Sequence, residues 1–149
     1  MRRSEDARGF TLIELGVVVV CLSLVFAFAV PSYQNFNRTL QLQGSAQNLA
    51  AQINLARQKA INTGVSQTIH FYYGTFGYHY HVHNPGVIGP GWNFPNGILY
   101  SWDAGTLPGQ AIIMLPNGRA DRAGMVILTN PRGDRDTVNV QLSGMVLVD

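Results

Sequence analysis

The chain has 149 residues, 46% of them apolar and 12% charged, with ten Lys and Arg against eight Asp and Glu, a formal net charge of +2 and one cysteine. That length holds one domain of ordinary size. A single thiol, Cys21, closes no intrachain disulfide, and no CxxC or Cys/His ligand cluster accompanies it, which excludes a cysteine-stapled scaffold and a structural zinc site. Cys21 reads as a packing residue. Charges this nearly balanced do not mark the whole chain as a nucleic-acid binder, although they leave room for a local basic patch.

The distribution of charge says more than its sum. Arg2, Arg3 and Arg8 precede an apolar run over 10–30 that is interrupted only by Thr11, Glu14, Gly16 and Ser23, and no charged residue occurs over 15–37. At a rise of about 1.5 Å per residue such a helix reaches about 30 Å, the thickness of a bilayer core. A buried helix of a soluble protein would carry a polar stripe, and none is visible. A secretory signal also begins basic and turns apolar, but this run exceeds a usual signal core, and Ala27-x-Ala29 is a poor small-x-small cleavage site. The three arginines hold the N-terminus on the cytoplasmic side, which sends the chain after Pro31 across the membrane.

Glu14 needs a reason, because a carboxylate in a spanning segment costs about 3 kcal/mol and usually faces a partner or the hydrated interface. The stretch Arg8-Gly9-Phe10-Thr11-Leu12-Ile13-Glu14-Leu15 resembles the class III signal of type IV prepilins and type II secretion pseudopilins, a short basic leader ending in glycine and then FTLIEL. The resemblance implies cleavage between Gly9 and Phe10 by a membrane-embedded prepilin peptidase, and N-methylation of Phe10. Glu14 is then the fifth residue of the mature chain, pairing with the terminal amine of an adjacent subunit during assembly. It also makes Pro31 a helix kink, since proline lacks the N–H that a helix interior uses.

After Pro31 the pattern turns amphipathic. Leu42, Ala46, Leu49, Ile53, Ala56 and Ala60 recur at alternating steps of four and three and line one helix face. Asn62-Thr63-Gly64 supplies a stop. The short alanine-rich stripe suits packing on a sheet or a coiled coil, and the sheet is favoured. From residue 65 onward alternation predicts about seven strands, over 65–72, 78–83, 98–102, 111–115, 124–129, 137–142 and 145–148. Turns at Leu107-Pro108-Gly109, Pro116-Asn117-Gly118, Pro131-Arg132-Gly133-Asp134 and Ser143-Gly144 separate the later ones. The predicted class is α+β.

This order resembles the GspH/FimT group of pseudopilins and minor pilins, in which a membrane helix carries a β-sandwich-like head. The Pro116-x-Gly118 turn and the closing strand after Ser143-Gly144 are its looser signature. The resemblance implies a type IV pilin-like fold divided into a leader (1–9), a transmembrane assembly helix (10–30), an amphipathic continuation (31–64) and a periplasmic head (65–149). It further implies a single-pass protein of the bacterial inner membrane whose partners are other subunits, the prepilin peptidase and an assembly platform, with no enzymatic activity and no cofactor. Type II secretion is the first functional reading and a FimT-like minor pilin the alternative.

DNA-binding members of the FimT branch carry Gly-Arg-x-Arg near the last strand, where this chain has Gly144-Met145-Val146-Leu147. Arg119, Arg122, Arg132 and Arg135 are the remaining candidates for phosphate contact, but Asp121 and Asp134 are interleaved with them, so they read as solvated turns and nucleic acid is not an expected partner. His79, His81 and His83 alternate and would share a strand face. Three imidazoles in a row nearly 7 Å apart do not converge on one ion, so an exposed face, with Tyr78 and Tyr80 on the other side, is expected rather than a metal site. A membrane-tethered metal protein is the distant alternative. No charged residue occurs over 60–102, where aromatics are dense, which suggests a surface facing neighbouring subunits or a partner.

Overall fold

The computed structural model describes residues 11–72, 77–87, 89–103, 105 and 107–149. One α-helix, α1 (Leu12–Thr63), runs through two units, Met1–Asn37 and Arg38–Asp149. In the first unit every side chain over 11–34 is exposed, and the most apolar 18-residue window has a mean hydropathy of 2.7. This is a bare greasy stem. Ser23 and Ser32 return their hydroxyl hydrogens to the carbonyls of Val19 and Phe28, so neither leaves a polar group for lipid to solvate. Pro31 lies inside α1 and does not end it. Cys21, read from sequence as a packing residue, is exposed, because the apolar stem has no second element of its own to cover it.

In the second unit the helix turns amphipathic and its stripe goes inward. Leu42, Ala46, Leu49, Ile53, Ala56 and Ala60 are all buried, joined by Ser45 and Ala50. Alanines on this stripe keep helix and sheet close, while Leu42, Leu49 and Ile53 supply the volume. The helix ends at Thr63, and Gly64 takes the left-handed conformation (φ 68°) that terminates helices at low steric cost.

Among the described residues eight strands follow, in two antiparallel sheets. The first holds β1 (Gln67–Phe71), β2 (Tyr80–His83), β3 (Gly91–Trp92) and β5 (Ala111–Met114) in the order β3-β2-β1-β5. The second holds β4 (Leu99–Trp102), β6 (Gly124–Thr129), β7 (Arg135–Val140) and β8 (Val146–Val148) in the order β4-β6-β7-β8. Alternation drives one face of each strand inward: Ile69 and Phe71, Ile112 and Met114, Val126 and Leu128, Val138 and Val140 join the helix stripe in one core. The expected helix on a sandwich-like head is therefore present.

Several details depart from the sequence reading, and β1 and β2 each begin two residues later than expected, at Gln67 and Tyr80. β3 was not foreseen, because two residues are too few to show a period. β7 begins and ends two residues earlier than expected. Gln141 already belongs to the turn, accepting from the Gly144 N–H at 2.8 Å, while Arg135 pairs with Thr129 in the ladder.

Helix and both sheets are tied at one corner. Arg57 of α1 donates from Nε to the Gly118 carbonyl at 2.7 Å, in the turn after β5. Gly144, in the β7–β8 turn at φ 80°, packs directly on that same Gly118 carbonyl, so a Cβ at Gly144 would collide with it. The Ala120 N–H adds a bond to the Leu142 carbonyl at 3.2 Å.

Tyr80 packs between Phe71, Trp92 and Phe94, with ring centres 5.3–6.0 Å away, and burial pushes its hydroxyl up to about 12. The unfolded chain ionises this tyrosine near 10, so the folded state loses stability as pH rises from about 10 through 12. In urea titrations across that range Tyr80→Phe flattens the decline; a decline of equal slope in the variant would mean that other groups set the alkaline limit.

Candidate functional site

At the start of the stem, Thr11 and Glu14 form a reciprocal capping box. The Thr11 N–H and hydroxyl both donate to Glu14 Oε2 at 2.9 Å, and the Glu14 N–H donates back to Thr11 Oγ1 at 3.3 Å. Glu14 thus has a use within its own chain that the sequence reading missed, although T-x-x-E ahead of an apolar run is the signature of this motif. Among the described residues its second oxygen, Oε1, takes no hydrogen bond. Gly9 and Phe10, the expected processing site, lie outside the described residues.

The four arginines do not gather. Arg122 is paired with Asp121 at 3.0 Å, and Arg132 lies 3.9 Å from Asp134, all on exposed turns. Arg119 is exposed in the turn after β5, where its N–H donates to Asn117 Oδ1. Arg135 is a correction: it is exposed in the first position of β7 and not in a turn. Arg122 lies beside the Gly124 end of β6, whereas Arg135 stands opposite Thr129 at the other end, about 17 Å away along a six-residue strand, and Arg132 lies in the turn just past it. No continuous phosphate track results, and β8 carries only apolar side chains where a DNA-binding branch has arginines.

The histidines rearrange. The row expected from sequence, His79, His81 and His83, is broken, because His79 lies before β2, accepts the Phe94 N–H on Nδ1 at 2.9 Å, stacks on Phe94 and meets Tyr100 at a tilt. Its place on the other face is taken by Tyr78, whose ring meets His81 at 5.5 Å and Tyr72 at 5.7 Å. His70, directly across the ladder from His81, completes a cluster with His81 and His83. The face is also less open than expected, since His81 is only 4% exposed. Burial first, and then the charge that a protonated His83 would bring, hold His70 and His81 below the usual histidine range. In their present orientations no three His, Cys, Asp or Glu side chains among the described residues are set to ligate a metal ion.

The fold, an apolar helical stem continuing into a helix packed on antiparallel sheets, is the type IV pilin-like fold of minor pilins and pseudopilins. No family model and no curated protein matches the chain. Among solved structures it is similar to the type IV minor pilin FimU of Pseudomonas aeruginosa, with a TM-score of 0.60 and 13% identity over 76% of this chain and 92% of that one. It is also similar to the minor pseudopilin EpsH from the type 2 secretion system of Vibrio cholerae, with a TM-score of 0.57 and 13% identity over 73% of this chain and 96% of that one. A second EpsH structure gives a TM-score of 0.56 at 11% identity, over 72% and 92%.

Proposed function

We propose that this chain is a non-enzymatic minor subunit of a pilus-like filament, in the first reading a pseudopilin supporting type II secretion. The observation that carries it is an apolar stem, exposed throughout 11–34 with Glu14 as its one charged residue there, on the same helix as a pilin-like head. Such a stem is stable in lipid, with the head on the periplasmic side of the inner membrane. It leaves the bilayer only if other subunits' helices replace the lipid, which turns membrane insertion into a store of assembly-competent subunits. The assembly platform would drive that extraction.

Processing by the prepilin peptidase at Gly9, with methylation of Phe10, creates the amine that assembly needs. Glu14 supports this reading. Oε2 caps its own helix and Oε1 is left for the amine of the subunit below, so that one carboxylate fixes both helix start and axial register. Replacing Gly9 by leucine is expected to leave the leader attached in N-terminal mass spectrometry; a normally trimmed product would remove the processing assignment.

The alternative, a FimT-like minor pilin acting in pilus assembly or DNA uptake, has the same stem and differs at the head. Scattered, acid-paired arginines favour no DNA role. The full chain in detergent is expected to give no salt-sensitive shift with duplex DNA; a shift that weakens steeply with salt and is lost on replacing Arg119 and Arg122 would favour uptake.

A further inference from the structure

The outer face of β1 and β2 holds a group of side chains for which the filament reading has no use. We propose that His70, His81 and His83 form a metal site that binds one zinc ion through three imidazole nitrogens, with water in the fourth position.

His70 faces His81 across the β1–β2 pairing, and His83 follows two positions along β2, on the same face as His81. This is a triangle and not a row. Its ring centres are 5.9 Å apart for His70 and His81, 5.4 Å for His70 and His83, and 5.0 Å for His81 and His83. A tetrahedral zinc ion with nitrogens at about 2.0 Å places each ring centre about 3.1 Å from the metal, and so the ring centres about 5 Å from one another. The backbone already spaces the imidazoles as such a site requires.

What is missing is orientation. The three rings lie within 14–30° of parallel, so their nitrogens do not point at a common centre, and rotation of the side chains must close the site. A second observation points to a ligand. His81 is 96% buried, being 4% exposed, and its Nδ1 has no hydrogen-bond partner among the described residues, an arrangement that costs free energy unless a donor or a metal completes it. Tyr72 and Tyr78 flank the cluster at 5.3 and 5.5 Å from the His81 ring. His79 is not part of the site, since its Nδ1 is already engaged by the Phe94 N–H. Imidazole nitrogen is a ligand suited to zinc, copper and nickel, and an all-nitrogen set with one open position fits zinc without oxidation chemistry.

The test is calorimetric titration of zinc chloride into the full chain in detergent, purified without a histidine tag and stripped with chelator. One equivalent is expected to bind at micromolar affinity or tighter, and cobalt is expected to give the intense visible absorption of a tetrahedral site. His70→Gln and His83→Gln, both at partly exposed positions, are each expected to weaken binding at least tenfold with an unchanged circular dichroism spectrum, while His79→Gln leaves affinity within twofold. Absence of binding above the detergent blank overturns the site, as does binding that survives the His70→Gln/His83→Gln double variant. The site does not depend on the filament reading: a double variant that loses zinc yet still enters sheared filaments supports both.

Discussion

Glu14→Ala is expected to leave the protein inserted in the membrane and to reduce its recovery in sheared filaments at least tenfold. The substitution removes two things together: the acceptor for the Thr11 N–H and hydroxyl, and the charge proposed to meet a neighbour's terminal amine. Glu14→Gln separates them, because glutamine also serves in a capping box but carries no charge. If register depends on the ion pair, Gln fails in assembly as Ala does, although the start of the helix is kept. Recovery of the Gln variant at the level of the original chain would show that capping alone is the carboxylate's task, and normal recovery of both variants would remove Glu14 from the account.

The largest effect on the head is expected at Gly144. Alanine there meets the Gly118 carbonyl, a backbone atom fixed by Arg57 Nε at 2.7 Å, so relief requires moving a turn and not a flexible side chain. Added to the strain of φ 80°, this amounts to about 3 kcal/mol or more, which lowers the melting temperature by about 10 °C or more. Gly133→Ala is the control. Its φ of 88° imposes the same backbone strain, but no heavy atom beyond its chain neighbours lies within 4 Å of a Cβ built there, so about 1 kcal/mol is expected. Equal melting temperatures for the two variants would show that the corner yields and does not lock the elements together.

Much of the fold was legible because burial is periodic. The stripe from Leu42 to Ala60 repeats every three or four residues over five turns, and each predicted member is buried. Gly64 marked the stop, and alternating residues located seven of the eight strands found among the described residues. The histidine cluster was not legible. Period two assumes that a strand starts where alternation starts, whereas β2 begins at Tyr80, and the chain before it turns His79 toward Phe94. Which residue of β1 stands across from His81 is a matter of register, and register is set by a turn whose geometry no single segment encodes. The tie from Arg57 to Gly118 spans sixty-one positions and was invisible for the same reason. The capping box is written in the sequence as Thr11-x-x-Glu14 ahead of an apolar run.

The account stands on how the stem is made. Intact-mass and N-terminal fragmentation spectra of the chain, extracted with detergent from inner membranes of cells that hold a prepilin peptidase, test it directly. A mature chain that begins at an N-methylated Phe10 and retains residues 10–30 is the predicted result. A soluble periplasmic species that begins after Ala29 would contradict it.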